Sequence, residues 1–399
     1  MYKVYCRIYQ ATYRLLSSFL PWRKPQLLEG EGSLLKLPDT IKQQGIDSVL
    51  IVTDAVIASL GLMDVLLDGL KKRDIAYIIY NETVPNPTIN NIEQALKLYH
   101  ANHCQGIIAF GGGSPMDCAK GVGARVARPN KTIPKMKGQL KVLCKMPPFF
   151  AIPTTSGTGS EVTVAAVITD SRTHLKYAIN DPALIPHYAV LDPTLTLKLP
   201  KHITSTTGMD ALTHAVEAYI GGSNTKETRS CAREAVKLVF RHLYNAYDNG
   251  MNIIARAHMQ KAAYFGGIAF TRAYVGYVHA MAHALGGIYG TPHGLANAVI
   301  LPYVLDAFGA SAHKPLAELA DVAGIADPTD SEATKAQKFI EAIRDLNRRM
   351  AIPERIEGIK ASDIPLLAKR ATKEGNPLYP VPEIWGEEQF INLFNKVKA

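Results

Sequence analysis

The sequence predicts a doubly wound α/β half built on a parallel sheet, followed by an all-helical half. Three observations predict it. From about residue 47, short apolar runs alternate with longer amphipathic ones; two of those runs end in glycine- and hydroxyl-rich turns; and after Pro200 strand signals largely stop. Continuous Val/Ile-rich runs separated by helices of about ten residues or more are the pattern of a parallel sheet covered on both faces.

Taken in order, Ser48–Thr53 (SVLIVT) reads as a buried strand, followed by a helix through Lys71 and a strand at Ala76–Tyr80. A helix at Ile89–His100 leads to the strand Gly106–Phe110 and a helix from Ser114. Phe149–Pro153 is a further strand, and Val162–Thr169 and Tyr188–Asp192 extend the sheet region. Helical patterns then run over Thr207–Ile220, Glu227–Asp248, Met251–Ala273, Gly276–Tyr289 and Leu295–Ala307. The expected division is an arm over residues 1–27, an α/β domain over 28–200 and a helical domain over 201–399.

Composition excludes several classes. No apolar run approaches the ~20 residues that span a bilayer as a helix. Five scattered cysteines without a C-x-x-C pair fit a reducing compartment rather than a disulfide framework. The formal charge is +9, but Lys3, Arg7, Arg14, Arg23 and Lys24 supply five of those charges and no acid lies among the first 24 residues. The body of the chain is thus only mildly basic, without the patch of a nucleic-acid binder. The aromatic, basic stretch Tyr2–Trp22 fits a presequence, a surface-lying amphipathic helix or a packed arm. The reading preferred is an ordered arm that covers hydrophobic surface.

Two loops carry nucleotide chemistry. Gly111-Gly112-Gly113-Ser114-Pro115-Met116-Asp117 follows a strand directly. Glycines there let a phosphate approach backbone N–H groups, Pro115 suits a first helical turn, and the helix dipole favours an anion. The second loop, Pro153 to Glu161 (PTTSGTGSE), offers hydroxyls and bare backbone donors. Asp54, at the end of SVLIVT, has two open readings: a ribose contact that favours NAD over NADP, and a helix N-cap.

Metal chemistry is carried by histidines. Asp210 and His214 lie four apart in GMDALTHAVEAY, so one helix face presents both. YVHAMAHALGGIYGTPHG adds His279, His283 and His293, so three of the twelve histidines fall within 15 residues. A lone histidine on an apolar helix is usually a satisfied core residue, but two i,i+4 pairs and a third histidine after a Thr-Pro helix start outweigh that. Histidine and carboxylate without cysteine suit Fe²⁺ or Zn²⁺. Spacing leaves open whether His279 or His283 is the ligand.

GGGSPMDCAK, IPTTSGTGSEVT, GMDALTHAVEAY and YVHAMAHALGGIYGTPHGLANAVILP, with VTD at Val52–Asp54 and VPNPT at Val84–Thr88, strongly resemble the iron-containing (group III) alcohol dehydrogenase family. The likeness covers the chain from about residue 28 onward. It implies a Rossmann-like dinucleotide-binding domain, a helical domain, a dehydroquinate synthase-like architecture and a metal in the cleft between the domains. Carried over by motif, the metal ligands are Asp210, His214, His279 and His293, with His283 near the nicotinamide as a proton relay. Cofactor contacts fall on Asp54, Asn86, Gly112, Gly113, Ser114, Asp117, Thr154, Thr155, Thr158 and Lys176. Ser156 departs from the alanine of many relatives. The implied activity is reversible hydride transfer between a small primary alcohol or diol and NAD, with Fe²⁺ (or Zn²⁺) as Lewis acid. A cytoplasmic homodimer is the implied state.

Two rivals share that scaffold: a glycerol or other polyol dehydrogenase, and a dehydroquinate synthase-like lyase. The lyase needs Lys and Arg around the metal, whereas Phe270, Tyr274, Tyr277 and Tyr289 make these flanks apolar. A catalytically silent nucleotide-binding protein is the reading from another class, and it predicts lost ligands or a broken glycine loop.

Overall fold

The computed structural model describes residues 1–173 and 175–399. By internal contacts they form two compact units. One holds residues 21–155 and 159–198; the other holds 1–20, 156–158 and 199–399.

The first unit is built on a parallel sheet of six strands. They are β1 (Gln26–Glu29), β2 (Ser48–Val52), β3 (Ala76–Tyr80), β4 (Gly106–Gly111), β6 (Phe149–Pro153) and β9 (Tyr188–Leu191), in the order β1-β9-β6-β4-β2-β3. Two-residue periodicity sorts their side chains. Leu50, Val52, Ile107, Ala109, Phe149 and Ala151 pack in one cluster with residues of α5 (Ile89–Ala101) and α6 (Gly113–Ala127). Their alternates Val49, Ile51, Ile108, Phe110, Phe150 and Ile152 pack in another with residues of α2 (Leu37–Gln43) and α4 (Asp64–Lys71). Both faces are therefore dry, which is why these strands read as unbroken apolar runs.

Three details differ from the sequence reading. The helix expected through Lys71 is two helices, α3 (Ala55–Ser59) and α4, separated by a turn at Gly61, whose φ is +69°. β1 went unpredicted: it is four residues long and pairs with β9, far along the chain (Gln26↔Tyr188). The stretch expected at Val162–Thr169 becomes β7 (Ala165–Asp170), which leaves the main sheet. It pairs antiparallel with β8 (Leu175–Asn180) in a second sheet completed by β5 (Gly138–Gln139). Gly159, at φ +59°, and a short 3₁₀ turn redirect the chain before β7.

Buried Lys120 of α6 secures that redirection. Its ammonium donates to Ser160 Oγ (3.0 Å), Thr163 Oγ1 (2.9 Å), and the carbonyls of Thr163 (3.0 Å) and Ala165 (2.9 Å). Burial lowers its pKa to about 8, against the pull of Asp117 and Glu161.

His187, just before β9, accepts the Phe149 N–H at Nδ1 (3.1 Å), which requires that nitrogen unprotonated. Burial, with Arg23 and Lys145 nearby, lowers its pKa from 6.5 to about 4. The unfolded chain then binds the proton first, so this contribution to stability is complete above pH 6.5 and is lost as pH falls toward about 4. A His187→Asn variant, which keeps an acceptor near Nδ1, is expected to show a shallower fall of unfolding temperature over that window. Equal slopes in a pH series of melting curves would rule this out.

The second unit is helical. It holds α7 (Lys201–Ile220), α8 (Lys226–Asp248), α9 (Ile253–Ala273), α10 (Tyr277–Tyr289), α11 (His293–Phe308), α12 (His313–Ala323), α13 (Glu332–Arg349), α14 (Ile364–Gly375) and α15 (Glu387–Val397). α7 is buried nearly all round and forms its centre. Residues 156–158 join this unit because Gly157 lies directly on α7, where a Cβ would come within 2.8 Å of the Thr207 carbonyl oxygen. His293–Ala323 is long and apolar enough to cross a membrane, yet 61% of its apolar window is buried inside the protein. No disulfide forms among the described residues.

Residues 1–20 also belong here, as helix α1 (Tyr2–Ser17) and the turn after it. Its body-facing side sets Cys6 into the helical core and is otherwise mostly polar. Arg7 donates to the carbonyls of Val381 (2.8 Å) and Pro382 (2.7 Å), Gln10 to those of Pro377 (3.0 Å) and Tyr379 (2.7 Å), and Arg14 to Gly222 (3.1 Å) and Asn224 (3.3 Å). The arm is ordered and covers hydrophobic surface through Cys6, which joins the helical core, and Tyr13, which packs on Tyr274, while a second apolar stripe points outward.

Candidate metal centre and nucleotide loops

α7 begins at Lys201 rather than at the expected Thr207 and runs on through Gly208, where a Cβ would collide with the Leu243 side chain, and it carries Asp210 and His214 one turn apart on one face. α10 starts at Tyr277, so His279 sits in its first turn; α11 starts at His293 itself. One ligand atom from each of Asp210, His214, His279 and His293 lies within 4.8 Å of every other. His214 is stacked between Phe270 (ring centroids 4.2 Å apart) and His279 (4.5 Å), which fixes its plane.

Two residues that sequence reading passed over hold this cluster. Glu217, one turn beyond His214 on α7, is buried. Its carboxylate accepts from the backbone N–H of Gly276 (2.8 Å) and Val278 (2.7 Å), capping α10, and lies 2.6 Å from His279 Nδ1. A proton held at Nδ1 leaves the Nε2 lone pair facing the cluster. A Cβ on Gly276 would lie 2.7 Å from Glu217 Oε1, so glycine is what lets the carboxylate in. Asn297, one turn along α11 from His293, directs its amide nitrogen at Asp210 Oδ1 (2.6 Å), His293 Nε2 (3.1 Å) and His279 Nε2 (3.3 Å). An N–H group thus reaches the lone pairs that a cation would take. Both residues had a signal: Asp210, His214 and Glu217 follow i, i+4, i+7, and His293 and Asn297 follow i, i+4.

The pKa values of the two buried histidines, His214 and His279, shift in opposite directions. Burial, with His279 and His283 close by, lowers the His214 pKa well below its ordinary value, which keeps the imidazole neutral. Burial also acts to lower that of His279, but the hydrogen bond and charge of Glu217, with Asp210 and Glu374, raise it overall. One carboxylate and three imidazoles with converging lone pairs fit a divalent ion of the Fe²⁺ or Zn²⁺ class.

His283 sits one turn beyond His279 and does not join the four. Its ring stacks on His293 (5.1 Å, 18°), and its Nδ1 meets Glu374 Oε1 at 2.6 Å. The Tyr379 hydroxyl donates to the same oxygen (2.9 Å). No local spacing announces Glu374, which lies 91 residues from His283.

The α/β unit places most of the nucleotide candidates at strand ends. From β2 the chain crosses to β3 on one side, and from β4 to β6 on the other, so β2 and β4 flank the switch point where such sheets bind ligands. Asp54 follows β2, and Gly112, Gly113 and Ser114 follow β4. Gly111 has φ +148°, and a Cβ there would lie 2.7 Å from Pro115. A Cβ on Gly112 would touch Thr155 at 3.4 Å, so the two loops adjoin. Thr154 Oγ1 is buried without a hydrogen-bond partner among the described residues. Asn86, at φ +58°, donates its N–H to Ser114 Oγ (3.2 Å) and accepts from Lys176 Nζ (2.9 Å). Asp117 turns inward, accepting from Val167 N and Ser160 Oγ (both 3.1 Å). Asp54 is an N-cap, accepting from Ile57 N (2.9 Å). Thr158 lies with the helical unit.

Comparison with known proteins decides the family. The model described as iron-containing alcohol dehydrogenase matches residues 25–193, and that of the family's C-terminal region matches 204–397. The chain belongs to the iron-containing alcohol dehydrogenase family. Within it, the sequence is 39% identical over 359 residues to alcohol dehydrogenase 4 of Schizosaccharomyces pombe, covering 88% of this chain and 84% of that one. It is 35% identical to the NAD-dependent methanol dehydrogenase of Bacillus methanolicus, covering 89% and 93%. The fold matches a crystal structure of 1,3-propanediol oxidoreductase with a TM-score of 0.91 at 34% identity, covering 95% and 100%. The chain is thus an alcohol oxidoreductase of this family, and the silent-binder reading falls away.

Proposed function

We propose that this dehydrogenase interconverts small, weakly polar primary alcohols or diols and their aldehydes. NAD is its hydride carrier, and Fe²⁺ is held by Asp210, His214, His279 and His293. The convergence of those four donors within 4.8 Å carries the reading. Alcohol, methanol and propanediol enzymes among its relatives support the substrate class. Zn²⁺ accepts the same ligands.

Fe²⁺ at this place supplies Lewis acidity that lowers the pKa of a substrate hydroxyl. Glu217 holds His279 as an Nε2 ligand and anchors the start of α10. His283 takes up the hydroxyl proton, with its ring oriented by Glu374. Burial and the Glu374 carboxylate push the Tyr379 phenol well above its ordinary pKa, so it remains a donor to that carboxylate. Asn86, Gly112, Gly113, Ser114, Thr154, Thr155, Thr158 and Lys176 contact the dinucleotide. Asp117 acts by bracing the loop, and Asp54 reads the ribose while capping α3. The enzyme works as a cytoplasmic homodimer.

Anaerobically purified protein loaded with Fe²⁺ or Zn²⁺ is expected to form NADH, in preference to NADPH, from ethanol, 1-propanol or 1,3-propanediol. Metal-loaded protein that turns over no primary alcohol or diol would overturn the proposal.

A further inference from the structure

The family match begins at residue 25, so helix α1 lies outside the part of the chain that the catalytic fold shares with its relatives. Its construction is inverted. The side facing the protein buries Cys6 in the helical core and is otherwise mostly polar, pinned by Arg7, Gln10 and Arg14 to six backbone carbonyls. The side facing away is apolar. Val4, Tyr5, Ile8, Leu15 and Leu16, with Phe19 just past the helix end, recur at three-, four- and seven-residue spacing and are between 53% and 80% exposed. Residues 1–19 hold eight of the eighteen large apolar side chains exposed among the described residues, so the stripe is a concentrated feature, unlike ordinary scattered exposure. Along its edge Tyr2, Tyr5, Tyr9 and Tyr13 form a ladder with ring centroids 6.2–6.3 Å apart, ending on Tyr274 at 5.8 Å.

Charge selects what such a face meets. Helix α1 carries Lys3, Arg7 and Arg14 and no acidic residue. A cleft of about 430 Å³ runs beside the helix, bordered by Arg7, Gln10, Arg14, Leu15, Ser223 and Pro380. Two guanidiniums in a cleft at the flank of an apolar, tyrosine-edged stripe suit a phosphate headgroup next to acyl chains. A second copy of the chain suits it less. A helix of 16 residues is roughly 24 Å long and presents a strip of roughly 250 Å², far below the ~800 Å² per partner of a stable interface.

We propose that α1 is an interfacial membrane anchor, lying in the surface of an anionic phospholipid bilayer with its Val4–Phe19 stripe among the acyl chains. The polar pinning presents the stripe as a preformed rigid ridge, so docking needs no refolding of the enzyme.

Co-sedimentation of the full-length, metal-loaded protein with vesicles tests this. Binding to phosphatidylcholine vesicles containing phosphatidylglycerol is expected to exceed binding to pure phosphatidylcholine by ~10-fold or more, and to weaken with added salt. Ile8→Glu, Leu15→Glu and Phe19→Glu together are expected to reduce it by roughly 100-fold or more while leaving turnover in solution unchanged. The serine triple variant at the same positions separates lost insertion from charge repulsion and should also lose most binding. Wild-type protein that stays in the supernatant, or stripe variants that bind like wild type, would overturn the proposal. So would a stripe variant whose particle mass drops in light scattering, because a second copy would then cover the stripe.

Discussion

Asp210→Ala is expected to lose bound metal and to fall by roughly a thousandfold in kcat/KM, as several kcal/mol of Lewis-acid stabilisation disappears. Asp210 brings the single anionic donor of the four, and its Oδ1 lies 3.5 Å from His293 Nε2 and 3.9 Å from His279 Nε2. Without it, three imidazoles face one point with no charge to balance a dication. His279→Ala should behave the same way. His283→Ala should keep its metal, because its Nδ1 is committed to Glu374 and its ring lies beside the cluster. Metal analysis alongside steady-state kinetics separates them: an Asp210→Ala or His279→Ala protein with full metal content would remove that residue from the ligand set.

Glu217→Ala carries the second large effect, on stability and on metal together. Removal of the carboxylate strands the N–H groups of Gly276 and Val278 in a buried place, along with His279 Nδ1. Each buried group left unsatisfied costs about 1–3 kcal/mol, and the costs overlap, so a loss of about 3–5 kcal/mol is expected. Metal affinity should fall ~10- to 100-fold, because His279 loses the partner that fixes its tautomer. Glu217→Gln keeps the size and one acceptor oxygen, so it should recover part of the stability and little of the affinity. Denaturant melts with metal titrations decide this. An alanine variant as stable as wild type would show that the α10 cap contributes nothing.

The α/β order, the glycine-rich turn after β4 and the change to helices after Pro200 were legible because each rests on local periodicity or local backbone conformation. β1 was not legible, since a four-residue strand has almost no periodicity and exists by pairing with β9. The fate of β7 was hidden for a related reason: an alternating run fits either sheet, and Gly159 with the Lys120 anchor selects the second. Within the site, Glu217 and Asn297 lay in plain helical register with residues already singled out. Glu374 and Tyr379 had no such register and are brought to His283 only by packing of α10 against α14.

From sequence alone came the fold class, the two loops and the two separate clusters, Asp210 with His214 and the three histidines from 279 to 293, all properties of neighbours along the chain. The tertiary structure decided which histidine faces the other donors. His279 and His283 are indistinguishable by spacing, being one turn apart on one helix. Glu217 turns the first toward Asp210 and His293, while Glu374 draws the second aside. The same holds for α1: sequence marked it as basic and aromatic, but its polar contacts with distant carbonyls determine that the apolar side faces out.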